Sequence, residues 1–461
     1  MPEITFIILG VTGDLAKRKI IPAIYKLIEE NKIEKFALVG AARRELEMKE
    51  ILKEAREFIK DVKENIWQRL ENNAYYQQFD FYDCQHYRKL GKILRNLESK
   101  HQLPGHRLFY LATLPDHFNA ITLNLAKTGI AKEQGKKWSR LVYEKPFGHD
   151  LPSARKINRG IARVFNENQV YRIDHYLGKE LVGNIAILRF TNRVLEPLWD
   201  SSNIQSVQIH FREKIGLEGR GNFYDKYGAL KDVVQNHMLQ MLALTAMEAP
   251  QKLTGKFIRD EKAKVLKVIK VKDLLLGQYS GYQKEKDVDS NSSTETFAAV
   301  KLSINNKRWK NVPFYLITGK NLDKKEVKID IKFKSVHCLL SASCQSDTNY
   351  LTIRVQPDEG FSLELFAKVP GKANAVMPAK MNYCHECIRD LRSPEAYEIL
   401  LEDVIKGDQS LFVRSDEIEY QWKVIKQILR KKNQIYEYNI GSAGPQELSL
   451  FEKKHHLRWR L

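Results

Sequence analysis

The chain has 461 residues, of which 43% are hydrophobic and 10% aromatic, enough to build two substantial cores and inconsistent with a disordered protein. Lys and Arg number 76 against 57 Asp and Glu, and the resulting charge of +19 draws anions; its carriers are scattered rather than gathered in a tail, which reads as a solvated surface with no nucleic-acid partner. No apolar run reaches membrane-span length, the run at residues 4–9 opens too early for a signal peptide, and five cysteines suit a reducing compartment, so a cytoplasmic protein with ordinary thiols and no membrane partner is expected.

Residues 1 to about 175 alternate short apolar strands with helical stretches: ITFIILG, an amphipathic segment through Leu27, KFALVGAA, a charged helix, RLFYLAT and RLVYEKP. The alternation predicts a parallel sheet wrapped by helices. Within ILGVTGDLAKRK, Gly10, Gly13 and Ala16 keep GxxGxxA spacing between strand and helix, where glycines let backbone N–H groups approach a pyrophosphate. A plain tight turn has the same residues. The second strand runs into Arg43 and Arg44, where an NAD site usually carries an acidic residue for the ribose, and a guanidinium there favours the 2′-phosphate of NADP⁺.

Further along, LVYEKPFG presents Lys145 before Pro146 at a strand end. In QVYRIDHYLGKE, Asp174 closes another strand-like run, and His175 and Lys179 follow at i, i+4 spacing on a predicted helix start, a pair suited to a phosphate. An N-cap aspartate and a solvated lysine fit those residues equally well.

From about residue 204 the pattern becomes strict alternation, in SVQIHFRE, FAAVKLSI, VKIDIKFK, LTIRVQP and FSLELFA, which predicts an antiparallel sheet with one covered face. A helix is predicted over residues 227–247, with Val233, Val234, Met238, Met241 and Leu242 on one face and His237 among them. A histidine so placed is an ordinary core residue unless a carboxylate orients it as a general base, and Asp174 is the candidate. Residues 283–296 read as an exposed loop. Another helix is predicted from Ser393, where Ser-Pro-Glu supplies cap, first-turn proline and acid; Tyr397, Leu400, Leu401, Val404 and Ile405 keep helical spacing to Gly407. The expected division is 1–175 for the α/β part and 176–461 for an α+β part. Cys384 and Cys387 lack a second ligand pair, so no metal site is expected, and no GxSxG elbow supports a hydrolase.

In order, GVTGDLAKRK, VGAARR, RLFYLAT, EKPFG, RIDHYLGKE, EGRGNFYDKYGALKDVVQNHMLQ, RWKNVPFYLITGK, IRVQP and GDQSLFVRSDE make the chain resemble the glucose-6-phosphate dehydrogenase family over nearly its whole length. The resemblance implies a Rossmann-type coenzyme domain followed by an α+β domain with a large, mainly antiparallel sheet. It implies oxidation of D-glucose 6-phosphate to 6-phosphoglucono-δ-lactone with hydride transfer to NADP⁺, the first step of the oxidative pentose phosphate pathway, by a homodimer or homotetramer. His237 is then the base and Asp174 its orienting carboxylate. His175, Tyr176 and Lys179 take the phosphate, and Lys145, Glu213, Asp232, Lys320 and Gln356 contact the sugar or its phosphate, Lys145 also near the nicotinamide. Gly10, Thr12, Gly13, Asp14, Leu15, Arg43 and Arg44 correspond to the coenzyme fingerprint. Lys325 stands near the phosphate where many relatives carry Arg, keeping the charge without the planar fork. The chain ends soon after GSAGP, so the second, structural NADP⁺ site of animal members is not expected.

Overall fold

The computed structural model describes all residues except 1, 337–347, 373–374, 385–391, 393 and 432–433. The chain divides into two compact units: Met1–Gly178 with Lys252–Arg259 and Pro394–Glu419, and Lys179–Gln251 with Asp260–Ser393 and Tyr420–Leu461.

The first unit is built on six parallel strands, β1 (Glu3–Leu9), β2 (Lys35–Ala42), β3 (Ala74–Gln78), β4 (Arg107–Leu111), β5 (Ser139–Tyr143) and β6 (Val170–Arg172), in the order β3-β2-β1-β4-β5-β6. Strands such as ITFIIL are apolar at nearly every position because helices cover both faces of a parallel sheet. Ile21, Ile24, Tyr25, Leu27 and Ile28 of helix Ile21–Glu29 pack into this core, and so do Tyr397, Leu400, Leu401, Val404 and Ile405 of helix Ala396–Lys406. At about 1.5–3 kcal/mol for each large apolar side chain buried, that distant helix, with Phe412 beyond it, contributes substantially to a core otherwise built from the first 178 residues. It begins at Ala396 with Glu395 in the cap position and ends on the left-handed Gly407; the expected cap Ser393 lies outside the described residues.

The second unit is built on nine strands in the order β14-β13-β12-β11-β7-β10-β9-β8-β15, namely β7 (Ile204–Arg212), β8 (Ile269–Tyr279), β9 (Phe297–Ile304), β10 (Pro313–Gly319), β11 (Glu326–Phe333), β12 (Tyr350–Gln356), β13 (Gly360–Lys368), β14 (Val376–Cys384) and β15 (Ile435–Tyr438). It is mixed: β7–β10 and β8–β15 pair in parallel and the other neighbours are antiparallel. One-faced burial fails in two places: toward the β13–β14 end Leu365, Met377 and Met381 are exposed and β14 has no buried residue, and at the centre Gln208, His210, Arg212, Lys328 and Asp330 are buried too. The C-terminal segment covers them: Gln208 Nε2 donates to Arg458 O at 2.9 Å, Lys328 Nζ donates to Arg460 O at 2.6 Å, and the Arg460 guanidinium donates to Glu364 at 2.7 and 3.1 Å. Alternation alone does not reveal a cover supplied from the far end of the chain.

Three further expectations change. Residues 174–178 form turns and the helix starts only at Glu180, with Lys179 in the cap position, so His175 and Lys179 share no helix face. The helix expected over 227–247 runs as Gly221–Ala229, a π-helical Leu230–Met238 and Leu239–Ala246, broken at Gly228, whose φ of 62° and ψ of 178° are not helical. Cys384 is disulfide-bonded rather than an ordinary thiol, while Cys84 is free; Cys338, Cys344 and Cys387 lie outside the described residues. Among the described residues, no helix is long and apolar enough to cross a membrane.

Candidate active site

In the first unit the C-terminal ends of β1 and β2 lie side by side, so the glycine turn and the arginine pair share one sheet edge. Gly10 N donates to Ala41 O at 2.7 Å and Gly13 N donates to Gly10 O at 3.0 Å. Gly10 has φ of 95°, and a Cβ there would stand 2.4 Å from Ala112 O, so only glycine lets the turn close against the segment after β4. Thr12, Gly13 and Leu15 are half-buried and Asp14 is exposed just before the helical run. Arg43 and Arg44 are exposed; Gln78 Nε2 donates to Arg43 O at 3.2 Å and Tyr76 OH donates to Arg44 O, which pins the backbone and leaves both guanidinia at the surface. A turn that only glycine can form and two exposed guanidinia beside it fit a coenzyme carrying a pyrophosphate and a 2′-phosphate.

On the other side of the same sheet, Lys145 follows β5 and Asp174 follows β6; Ile173 N donates to Tyr143 O at 2.9 Å, which holds the two strand ends together. Asp174 is buried, and its Oδ1 accepts from Tyr176 N at 3.1 Å while its carbonyl accepts from Leu177 N at 2.9 Å, so the aspartate shapes a turn. The His175 ring stacks on Tyr397, with centroids 6.5 Å apart and planes within 11°. Tyr397 and Tyr110 both donate their hydroxyls to Glu144 Oε1. Burial pushes the Glu144 carboxyl up to about 7. Glu144 is not among the residues expected at the site from sequence; its place between a strand and Lys145 is the signal for it.

In the second unit His237 is buried in the π-helical stretch, and its ring stacks on Phe211 of β7 with centroids 5.7 Å apart and planes within 10°. The positions expected on its apolar face, Val233, Val234, Met238, Met241 and Leu242, are all buried. Just after β7, Glu213 Oε2 accepts from Lys320 Nζ at 2.8 Å. The Lys320 ammonium is buried 5.2 Å from the centroid of the Tyr224 ring, and after burial itself the charges of Asp232 and Glu213 are among the causes that hold the Tyr224 phenol well above its ordinary value. Glu213, Asp232 and Lys320 thus gather around one buried tyrosine that the motifs did not single out. Lys179 lies 3.9 Å from Glu359, three residues beyond Gln356, whose Oε1 is buried. Lys325 is exposed on the β10–β11 connection.

The family model described as glucose-6-phosphate dehydrogenase, NAD binding domain, matches residues 7–184, and the one described as its C-terminal domain matches residues 186–460. The chain belongs to the glucose-6-phosphate dehydrogenase family. A glucose-6-phosphate 1-dehydrogenase of Bacillus subtilis is 41% identical over 99% of this chain and 98% of its own length, and one of Caenorhabditis elegans is 38% identical over 98% and 90%. A solved structure described as glucose-6-phosphate dehydrogenase in complex with its substrate glucose-6-phosphate superposes with a TM-score of 0.94 at 34% identity, over 100% of this chain and 99% of that one. A glucose-6-phosphate 1-dehydrogenase structure from Mycobacterium avium gives 0.88 at 32% identity, over 100% and 99%. As a member of the glucose-6-phosphate dehydrogenase family the chain is an oxidoreductase of carbohydrate metabolism whose coenzyme is NADP.

Proposed function

We propose that the chain oxidises D-glucose 6-phosphate at C1 to 6-phosphoglucono-δ-lactone with His237 as the base. The observation that carries this reading is the buried His237 imidazole, held flat on Phe211 in a unit that also gathers Lys320, Glu213 and Asp232. An imidazole titrates near neutral pH and can take the C1 hydroxyl proton, and Asp174 is assigned to orient it and to stabilise the imidazolium. Lys145, Glu213, Asp232, Lys320 and Gln356 are assigned to the sugar or its phosphate, and His175, Tyr176, Lys179 and Lys325 to the phosphate dianion. When bound, NADP⁺ supplies the hydride acceptor for C1–H, and Gly10, Thr12, Gly13, Asp14, Leu15, Arg43, Arg44 and Lys145 are the residues assigned to hold it. A positioned base contributes about 10²–10⁴-fold, so fixing C1 in place supplies much of the remaining acceleration.

The reading extends to a cytoplasmic homodimer or homotetramer, with residues 1–175 as coenzyme domain and 176–461 as substrate and oligomerisation domain. Leu365, Met377 and Met381 on β13 and β14 are 37%, 42% and 63% exposed, and such an apolar edge of the sheet supports self-association there. Absorbance of the reduced coenzyme, NADPH or NADH, is measured with glucose 6-phosphate, glucose and galactose 6-phosphate, each with NADP⁺ and NAD⁺. Turnover confined to glucose 6-phosphate is expected, with NADP⁺ preferred. No turnover of any substrate sinks the reaction, and comparable turnover of free glucose sinks the phosphate assignment.

A further inference from the structure

The basic residues are dispersed along the sequence, yet Lys270, Lys272, Lys301 and Lys310 converge on one cavity of about 630 Å³ in the second unit. It lies where β8 begins, β9 ends and β10 begins, with residues 305–306 and 310–313 along its rim. Asn305, Asn306 and Asn311 add amides, and among the described residues no Asp or Glu lines it.

Strand register explains the convergence. Ser303 pairs with Lys270 on one side and Pro313 on the other, and Lys301, two residues away on the same face, pairs with Asp273 and Tyr315. The register shift between Val271 and Asp273 leaves Lys272 outside the regular alternation. Lys301 is half-buried, and its Nζ lies 3.0 Å from His455 Nδ1, whose Nε2 lies 2.6 Å from Asp273 Oδ2. Because the Lys301 ammonium can only donate, Nδ1 accepts from it and Nε2–H donates to Asp273, which leaves the ring neutral. Burial lowers the Lys301 pKa, Asp273 opposes that, and Lys454 and Lys272 lower it further. Lys270, Lys272 and Lys310 are exposed. The cavity therefore concentrates positive charge with no carboxylate among its described lining residues, Asp273 behind Lys301 being paired with Lys454 and His455.

We propose that this cavity is a binding site for a small polyphosphate anion, separate from every residue assigned to the dehydrogenase reaction. The lysines are rooted on β8, on β9 and on the β9–β10 connection, so their backbone attachment points are spread over about 10 Å, two inter-strand spacings. One phosphate group does not span that distance; a chain of phosphates does. The lysines take its charge and the asparagine amides bond to its oxygens.

Inorganic tripolyphosphate is titrated into the full chain by calorimetry with saturating NADP⁺ present, so that the coenzyme turn is already filled. Saturable binding of one anion per chain is expected, weakened by added salt. Lys272→Glu with Lys310→Glu lowers the affinity by about 100-fold, and Lys310→Ala alone by about tenfold. Lys127→Glu with Lys136→Glu, which removes the same net charge from exposed positions of the first unit, changes it by less than about twofold. Dehydrogenase turnover of each variant reports that it has folded. An equal loss in the Lys127 and Lys136 variant reduces the effect to the overall field and overturns the site. Absence of saturable binding by the unmodified chain overturns it too, and orthophosphate binding as tightly as tripolyphosphate overturns the polyphosphate class.

Discussion

The Leu230 amide donates to Glu295 Oε1 at 3.0 Å, so a carboxylate from the loop before β9 caps the helical stretch that carries Asp232 and His237. The neighbouring Ala229 amide donates to the Glu295 carbonyl at 2.9 Å. The same loop is fastened one turn earlier, where Tyr282 OH and Ser292 Oγ donate to Asp225 Oδ1 at 2.8 and 2.5 Å and Thr294 Oγ1 donates to Asp225 O at 2.7 Å. A tract that reads from sequence as an exposed loop is thus the clamp on the helix holding the proposed base.

Burial pushes the Glu295 carboxyl up to about 7. A raised folded value means that the folded chain binds this proton more tightly than the unfolded one, so its contribution to stability is complete below about 4.5 and is lost as pH rises through about 7, for about 3 kcal/mol in all. Glu295→Gln keeps the oxygen that accepts from Leu230 and cannot ionise. Its Tm is expected to match the unmodified chain at pH 5 and to exceed it by several degrees at pH 8. A Tm difference that does not change with pH would rule out this proton as the cause.

Gly228 sits at φ of 62°, and a Cβ there would lie 2.4 Å from Glu295 Oε1. Gly228→Ala is expected to cost about 1–3 kcal/mol and to lower kcat as the cap is displaced. Urea unfolding followed with the kcat of the folded fraction checks both; unchanged stability would mean that the backbone relaxes without strain.

His237→Asn is expected to lower kcat by about 10²–10⁴-fold and to leave the KM for glucose 6-phosphate within a few-fold. Asp174→Asn is expected to lower kcat as well, and the double variant to lose little more than His237→Asn alone, because two groups that act as a unit are not additive. Fully multiplicative losses would separate Asp174 from the base, and near-normal kcat in His237→Asn would remove that residue from the role.

Lys179→Ala is expected to raise the KM for glucose 6-phosphate by about tenfold or more with a smaller change in kcat, since a lost phosphate contact weakens ground state and transition state together. Arg43→Ala is expected to shift the kcat/KM ratio toward NAD⁺. An unchanged ratio would reassign the 2′-phosphate to Arg44.

Much of this protein was legible in the sequence because its signals are local. Ile4, Phe6 and Ile8 announce a strand, and Gly10 reports a turn that no other residue can close. The ordered motifs name the family. Neighbouring residues are covalently tied, so a short pattern carries its own geometry.

Only the tertiary structure decided what depends on residues far apart in the chain. Helix Ala396–Lys406 joins the core of the first unit, residues 458–461 bury the polar face of the central strands, Glu295 caps the helical stretch of His237, and four dispersed lysines meet at one cavity. Each contact forms wherever burial and hydrogen bonding outweigh the entropy of closing a long loop, a cost that grows only slowly with loop length. Sequence distance therefore says little about which of them form, whereas the packed fold determines them all.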